Sequence, residues 1–322
     1  MSRVHDALRR AEQNLATNVA APAPASDGVR PAPAPGAAAA TGAPFPERNA
    51  SAVQTAIRTV FASPDAPMEG LLEKVVEIPF LPSPEALLIN AAHPHEAPTE
   101  EFRTLRTRLN HMQSLQPIHT AVVTSPSPAE GKSFAAVNLA LSQAQLAGNL
   151  TLLCDFDFRR PIVHNLLQTE RSPGLTDYLQ GKIELHQAMR KVQGTNLYIM
   201  PAGEAVINPL ELLNLKEVKY MLDHLPRLFN WVILDSPPLL FAADANLLAT
   251  LCHGAILVVR IGATTIDSVT RAMQSLCQNN VLGIVVNGAR RGELYSKYTY
   301  YHSYYSPRDE DDEGHGAKPP AE

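Results

Sequence analysis

The chain has 322 residues, of which 45% are hydrophobic, and its 27 basic and 32 acidic side chains give a formal net charge of −5. Its length allows one large domain or two small ones, and the slight acidic excess argues against a surface that binds nucleic acid. With no run of about 18 apolar residues and no signal peptide, we expect a soluble, intracellular protein. The three cysteines, Cys154, Cys252 and Cys277, are far apart and lack a CxxC spacing, which indicates reduced thiols.

The first 98 residues form three segments with little sign of a packed core. Residues 1–16 place apolar side chains at helical spacing, which predicts a short amphipathic helix. Because so short a helix is marginal alone, it is expected either to become ordered on a partner or on the main domain, or to be a frayed helix without a function. Residues 17–66 are rich in Ala and Pro and are expected to form a disordered linker. Residues 67–98 form a lead-in segment in which prolines interrupt helical patterns such as the one over 68–76.

A change of character near residue 99 marks the start of a domain that we expect to end at residue 290. Short apolar runs alternate with helical patterns, and the helix after the first run is expected to stop at Gly148. This alternation predicts an α/β fold: a doubly wound, mostly parallel sheet with helices on both faces. The predicted strands are 119–125, 150–154, 196–200, 231–235, 255–260 and 282–287.

The stretch TSPSPAEGKS follows the first predicted strand and leads into a helical pattern. Its last residues, Gly131, Lys132 and Ser133, match the GK[ST] end of a P-loop. In such a loop backbone N–H groups bind phosphate, the glycine permits close approach, the lysine reaches the outer phosphates and the hydroxyl binds Mg²⁺. The strict pattern has Gly where this chain has Pro126, so we predict a variant P-loop that binds a nucleotide.

Acidic residues follow two further predicted strands. Asp155, Asp157 and Arg159 come directly after the second strand, and Asp235 ends a later apolar run. Because the carboxyl ends of parallel strands lie along one edge of a sheet, we expect these residues to lie near the P-loop. Carboxylates placed there can hold a magnesium ion or accept a proton. The alternative for the first pair is a solvated acidic turn.

The C-terminal segment, residues 291–322, differs from the domain in composition. Six of the nine tyrosines lie between residues 295 and 306, and an acidic run follows at 308–313. Neither helix nor strand is expected there, so we interpret the segment as a disordered tail. The six tyrosines are Tyr295, Tyr298, Tyr300, Tyr301, Tyr304 and Tyr305.

The P-loop, the DxDxR segment at 155–159 and the VILDSPP segment together resemble the motifs of the bacterial tyrosine kinases (BY-kinases) of capsule and exopolysaccharide production. This family belongs to the deviant P-loop branch that also contains the MinD and ParA ATPases. The segment EEFRTLRTRL is similar to the family's ExxRxxR motif, with Glu100, Arg103 and Arg106. With the tyrosine-rich tail, the resemblance covers about residues 86–305.

The resemblance implies the P-loop NTPase fold and an ATP- and magnesium-dependent protein-tyrosine kinase. The residues then expected to be catalytic are Lys132, Asp155, Asp157 and Arg159, and one of the two carboxylates would take the phenolic proton. The residues expected to bind ATP are Gly131, Lys132, Ser133 and Asn287. Asn287 would contact adenine, although an Asn that caps the turn after a strand is an alternative. The residues expected to hold Mg²⁺ are Ser133, Asp155 and Asp235.

The resemblance also implies how such a kinase is organised. The tail tyrosines would be the phosphoacceptors and would enter the site of a neighbouring copy in a ring-shaped homo-oligomer. Glu100, Arg103 and Arg106 share one face of a predicted helix and would contact the next subunit, the alternative being an exposed ion-pair face. A membrane-embedded polysaccharide co-polymerase would recruit the cytoplasmic kinase to the membrane and activate it, and a phosphotyrosine phosphatase would act on the product.

Two other functions are compatible with the same motifs. A MinD- or ParA-like regulatory ATPase would transfer phosphate to water, but Ser127 stands where those relatives carry a lysine. A non-catalytic scaffold of the export machinery would only bind ATP, which the intact Lys132 and carboxylates argue against. The sequence therefore favours a kinase that phosphorylates its own tail.

Overall fold

The computed structural model describes residues 70–81, 86, 88–89, 98–276 and 281–289, and eight β-strands within these ranges form one sheet. The strands are β1 (Val76–Ile78), β2 (Thr120–Thr124), β3 (Thr151–Asp155), β4 (Arg190–Val192), β5 (Leu197–Met200), β6 (Trp231–Asp235), β7 (Gly254–Arg260) and β8 (Val281–Asn287). Their spatial order is β1-β4-β5-β3-β6-β2-β7-β8. All neighbouring pairs are parallel except β4 and β5.

Helices connect these strands and cover the sheet. They are α1 (Thr99–Leu115), α2 (Lys132–Ala144), α3 (Val163–Leu166), α4 (Leu175–Leu179), α5 (Leu185–Ala188), α6 (Pro209–Leu213), α7 (Lys216–His224), α8 (Ala243–Leu251) and α9 (Ile266–Ser275), with 3-10 turns at Leu72–Lys74 and Leu225–Arg227. Among the described helices, none combines the length and apolar character needed to cross a membrane.

The central strands are apolar on both faces because helices pack against both faces of the sheet. In β3, Leu152 and Cys154 join one core cluster, whereas Leu153 between them joins the other. Helices α1 and α2 pack on the side of Leu153 and contact each other through the Phe102–Phe134 ring pair, whose centroids are 6.1 Å apart. Helices α4, α7 and α8 pack on the opposite side. This arrangement confirms the predicted doubly wound, mostly parallel α/β fold.

The six predicted strands are all present, with ends that agree to within one residue. The three-residue strands β1 and β4 were not predicted, because they are too short to show a periodic pattern. The helical pattern over residues 68–76 is instead a 3-10 turn followed by β1, so the sheet includes residues from the predicted lead-in segment. The predicted N-terminal helix and linker (residues 1–66) and the tail (291–322) lie outside the described residues.

The motifs identified from the sequence meet at one edge of the sheet. The carboxyl ends of β2, β3, β5, β6, β7 and β8 lie along this edge, because these strands are all parallel to one another. The loop from β2 to α2 carries the P-loop motif, and the loops after β3 and β6 carry the acidic motifs. The topology therefore brings the three motifs together.

Candidate active site

The phosphate loop, residues 125–131 between β2 and α2, is built around a glycine. Gly131 has a φ of 95°, in the left-handed region that favours glycine. A Cβ at this position would lie 1.9 Å from Nδ2 of Asn287, the last residue of β8. The conformation and the contact both give a steric reason for glycine at position 131.

Side chains at the ends of β7 and β8 support the phosphate loop. Nδ2 of Asn287 donates to the carbonyl oxygen of Glu130 at 3.0 Å, and Oδ1 accepts from the N–H of Gly288 at 2.8 Å. Nη1 of Arg260 donates to the carbonyl oxygen of Ala129 at 3.1 Å. The Asn287 amide thus bonds to backbone on both sides, and its contact with adenine stays a prediction.

Glu130 lies within the phosphate loop, and its buried carboxylate braces the loop. Oε2 accepts from the N–H of Ser127 at 2.8 Å, and Oε1 accepts from the hydroxyl of Thr264 at 2.5 Å. Glu130 was not predicted from the sequence. The available signal was an acidic residue inside an anion-binding loop, where its charge opposes phosphate unless other donors hold the carboxylate in place.

Lys132 connects the phosphate loop to the ends of β3 and β6. Its Nζ lies 2.7 Å from Oδ2 of Asp157 and 3.7 Å from Oδ1 of Asp235, and it donates to Oγ of Ser133 at 3.0 Å. Burial lowers the pKa of Lys132, but the charges of Asp235 and Asp157 outweigh burial and the pKa is raised. The lysine is therefore charged at neutral pH, and the structure brings the three motifs together as the topology predicts.

The carboxylate cluster consists of Asp155, Asp157 and Asp235 from the neighbouring strands β3 and β6. Asp155 and Asp235 are paired in register. The carboxylate of Asp155 accepts backbone N–H groups of Asp157 at 3.1 Å and Val163 at 3.2 Å, and Oδ1 of Asp157 accepts the N–H of Arg160 at 3.0 Å. Burial, followed by the charge of Asp235, raises the pKa of Asp155 well above its usual range.

Asp235 is fully buried, and within the described part of the chain neither of its carboxylate oxygens has a hydrogen-bond partner. Burial raises its pKa to about 6, against the opposing attraction of Lys132. Buried polar groups without partners are uncommon in folded proteins, and carboxylate and hydroxyl oxygens are ligands that Mg²⁺ prefers. The oxygens of Asp235 have the Lys132 ammonium at 3.7 Å but no hydrogen bond among the described residues, and the Ser133 hydroxyl lies close by. This set of oxygens therefore fits a magnesium ion.

Arg159 pairs with helix α8 and not with the carboxylate cluster. Its Nε lies 2.8 Å from Oδ2 of Asp244, a buried residue in the first turn of α8, while the Arg159 side chain is 49% exposed. The hydrogen bond to Asp244 raises the pKa of Arg159. Asp244 was not identified from the sequence because it lies 85 residues from its partner. The pair anchors the loop that carries Asp157, and a catalytic role for Arg159 itself stays a prediction.

The residues predicted to form a subunit interface lie in the first half of α1. Arg103 forms an ion pair with Glu100 on the same helix. Nη1 of Arg106 donates to the carbonyl oxygen of Ser142 at 2.8 Å and so joins α1 to α2. The interface role of these three residues stays a prediction, and the six tail tyrosines lie outside the described residues.

The curated proteins that this chain resembles in sequence are of one kind. No protein-family model matches it. Over 216 residues the chain is 33% identical to the tyrosine-protein kinase YwqD of Bacillus subtilis, covering 66% of this chain and 90% of that protein. Over 224 residues it is 29% identical to the tyrosine-protein kinase wzc of Salmonella typhimurium, covering 69% of this chain but 31% of that longer protein.

Solved structures give the same result. The chain is similar to the kinase domain of the Escherichia coli tyrosine kinase ETK, with a TM-score of 0.58 and 31% identity. This similarity covers 61% of the present chain and 78% of the ETK chain. The comparison of sequences and the comparison of structures therefore agree on the kind of protein that this chain resembles.

Proposed function

Since the chain belongs to the bacterial tyrosine-protein kinases, we propose that it transfers the γ-phosphoryl group of ATP to tyrosines of its own C-terminal segment, between copies of the chain. The observation that carries the proposal is Lys132, whose Nζ lies 2.7 Å from Asp157 and 3.7 Å from Asp235. This lysine joins a phosphate loop to a carboxylate cluster. This arrangement of a phosphate-binding loop, a cation and carboxylates suits phosphoryl transfer, in which positioning and charge neutralisation supply most of the catalysis.

ATP binds with its phosphates at the N-terminus of α2, where backbone N–H groups and the helix dipole favour anions. Lys132 pairs with Asp157 and, in the proposed complex, reaches the outer phosphates. Ser133, Asp155 and Asp235 would hold Mg²⁺, which neutralises charge on the phosphates when it is bound.

The reaction exchanges one phosphorus–oxygen bond for another. The phenolic oxygen of the acceptor bonds to the γ-phosphorus while the bond to the β,γ-bridging oxygen breaks, and ADP leaves with the electron pair. A phenol has a pKa of about 10, so its proton passes to a carboxylate as the new bond forms. Asp155 and Asp157 are the two candidates for this base, and Lys132 stabilises the charge on the transferred group.

The proposed acceptors are the six tail tyrosines, and delivery to another copy requires a homo-oligomer. We assign its contact to Glu100, Arg103 and Arg106 at the start of α1 and propose a ring. Each phosphate adds about −1.5 to −2 charges beside the acidic run at 308–313. Repulsion among phosphorylated tails then favours separation of the ring.

The cellular role that we propose is regulation of exopolysaccharide or capsule synthesis or export. In this role the kinase works at the cytoplasmic face of the membrane, where a membrane-embedded polysaccharide co-polymerase recruits and activates it. A phosphotyrosine phosphatase reverses the modification. Membership of the kinase family supports this role.

The test is incubation of the purified chain with Mg·ATP, with and without the cytosolic segment of a membrane activator, followed by detection of phosphotyrosine. We expect label on the tail and none when all six tail tyrosines are replaced by Phe, with ATP binding retained. Release of free phosphate without phosphotyrosine would support the regulatory ATPase instead. ATP binding without turnover would support the scaffold.

A further inference from the structure

The last residues of the neighbouring strands β7 and β8 lie against the phosphate loop. Arg260 ends β7 and Asn287 ends β8, and the two residues are partners in the register of the sheet. Nη1 of Arg260 donates to the carbonyl oxygen of Ala129 at 3.1 Å, and Nδ2 of Asn287 donates to that of Glu130 at 3.0 Å. One register pair of the sheet therefore holds two successive carbonyl groups of the loop.

These two contacts fix the direction of two backbone N–H groups. In a planar trans peptide the C=O and N–H bonds point in opposite directions. The N–H of Glu130 shares a peptide group with the carbonyl of Ala129, and the N–H of Gly131 shares one with the carbonyl of Glu130. Both carbonyls face the ends of β7 and β8, so both N–H groups face the other way. In the sheet that direction leads past β2 to β6 and β3, which carry the carboxylate cluster.

The same two N–H groups have no acceptor of their own. Among the described residues, neither the N–H of Glu130 nor that of Gly131 donates a hydrogen bond. Both directly precede α2, and N–H groups at the start of a helix carry a partial positive charge. Successive N–H groups that point to one side form a concavity that binds anions. These two donors therefore suit the oxygens of a phosphate group.

The loop needs support in this conformation. Ala129 has a φ of 63°, in the left-handed region that a residue with a Cβ rarely adopts. Such a residue persists when the surrounding structure holds it in place. Thr264, in the turn after β7, adds a further contact, because its Oγ1 accepts the N–H of Arg260 at 2.8 Å and donates to Oε1 of Glu130 at 2.5 Å.

The side-chain amide of Asn287 is held by backbone groups at both ends. Nδ2 donates to the carbonyl of Glu130, and Oδ1 accepts the N–H of Gly288 at 2.8 Å. An amide with both ends bonded to backbone has a fixed orientation, which suits a residue that positions a loop. Neither bond depends on the base of the nucleotide.

We propose that Arg260 and Asn287 are positioning residues for the phosphates of the bound nucleotide. By holding two carbonyl groups, they aim the N–H groups of Glu130 and Gly131 at phosphate oxygens. The inference rests on the proposed function and deepens it, because it assigns Asn287 to the triphosphate in place of adenine. Since both side chains act through the loop, their contribution is the same for any magnesium-bound triphosphate.

The experiment measures how tightly the full-length chain binds Mg·ATP, Mg·GTP and Mg·tripolyphosphate, which share a triphosphate and differ in the base or lack one. The variants are Arg260→Met, Arg260→Lys and Asn287→Ala. Arg271→Met is the matched control for loss of an arginine, because Arg271 is exposed in α9. Competition against a fluorescent ATP analogue gives the affinities, and thermal unfolding identifies a temperature at which every variant is folded.

We expect Arg260→Met and Asn287→Ala each to weaken binding of all three ligands by a similar factor, about tenfold, because each removes a hydrogen bond that orients the loop. Arg260→Lys should recover part of the loss, since an ammonium group can donate to the same carbonyl. The Arg271 control should bind as the wild type does. The amide proton resonances of Glu130 and Gly131 should shift downfield when Mg·tripolyphosphate binds the wild type, and less in both variants.

Unchanged affinities in both variants would overturn the inference. A loss in Asn287→Ala for Mg·ATP alone would also overturn it and would assign this side chain to adenine. A loss confined to Arg260→Met would overturn the shared role and indicate simple attraction by the arginine charge. Absence of phosphotyrosine in a wild-type chain that binds Mg·ATP would instead overturn the proposed kinase activity, and the binding data would still decide the inference.

Discussion

The phosphate loop and the carboxylate cluster lie at the same edge of the sheet, yet their polar groups are in opposite situations. In the loop, the carboxylate of Glu130 accepts two hydrogen bonds and Asn287 bonds to backbone through both ends of its amide. In the cluster, Asp235 is buried with no hydrogen-bond partner among the described residues, and Asp155 lies beside it in register.

This difference separates two requirements of one site. The loop has to keep its shape before the nucleotide arrives, so its hydrogen bonds are satisfied internally. The cluster has to attract a cation and a proton, so its charges are left without full compensation at a cost in stability. Lys132 directly follows the phosphate loop in the chain, and its side chain contacts the cluster. Substitutions in the phosphate loop and in the carboxylate cluster test whether the two regions meet these different requirements.

The largest effect should come from Lys132→Met, because it separates the two regions. We expect phosphotyrosine formation to fall by about 1,000-fold or more, because the variant lacks the ammonium charge that stabilises the negative charge on the transferred phosphoryl group. The measurement is the initial rate of tail phosphorylation with Mg·ATP. If the variant keeps the wild-type melting temperature, the loss of activity is not due to unfolding. A variant with a near-normal rate would show that Lys132 has no part in the mechanism.

Within the cluster, Asp155→Asn and Asp157→Asn should identify the base. Replacing the base should lower the transfer rate by about 100-fold or more. Mg·ATP binding should be retained in Asp157→Asn and weakened in Asp155→Asn, because Asp155 is also proposed to hold Mg²⁺. Asp155 also accepts the N–H groups of Asp157 and Val163, and an Asn side chain can accept only one of them, so its replacement should in addition remove one hydrogen bond from the loop after β3. The measurements are single-turnover rates and nucleotide affinity for each variant. Wild-type rates in both variants would contradict a carboxylate base from this cluster.

The comparison predicts that removing a charge from the cluster stabilises the nucleotide-free protein. The pKa of Asp235 is raised from 3.8 to about 6, so ionisation favours the unfolded chain as the pH rises from about 4 to 6. Asp235→Asn should therefore raise the free energy of unfolding at pH 7 by about 3 kcal/mol, with little gain near pH 4. Urea unfolding at both pH values tests this. A destabilised variant at pH 7 would show that the carboxylate is fully compensated.

In the phosphate loop, where contacts are satisfied, substitution should have the opposite sign. Gly131→Ala forces a Cβ into a left-handed conformation and against Asn287, and should cost about 1–3 kcal/mol and weaken ATP binding. In an Asn287→Ala background, which lacks the clashing amide and its hydrogen bonds, Gly131→Ala should cost less, but the part due to φ should remain. Thermal unfolding and ATP titration of both single variants and the double variant provide the measurements. If Gly131→Ala costs nothing in the Asn287→Ala background, φ contributes nothing.

The smallest effect should come from Glu130→Gln. The amide retains one acceptor oxygen for Ser127 or Thr264 but loses the other, which should cost about 1 kcal/mol and weaken ATP binding severalfold. Competition against a fluorescent ATP analogue measures the change. Tighter ATP binding would indicate that repulsion between Glu130 and the phosphates outweighs its support of the loop.

The parts of the site that depend on topology were predictable from the sequence. Asp155 and Asp235 end apolar runs, and parallel strands bring such residues to one edge whatever the details of packing. The partners of Glu130 and Arg159 were not predictable, because Thr264 and Asp244 lie 134 and 85 residues away and the contacts depend on how loops pack. Strands β1 and β4 were missed for a different reason, since three residues carry too little pattern.

The contact between Gly131 and Asn287 has a consequence for shortened versions of the protein. The side-chain amide of Asn287, the last residue of β8, donates to the carbonyl oxygen of Glu130. The N–H of Gly288 orients this amide by donating to its oxygen. A fragment that stops before residue 287 would keep the P-loop and both acidic motifs but leave the turn at 130–131 without this hydrogen bond. Expression boundaries chosen from the motifs alone would therefore be placed too early.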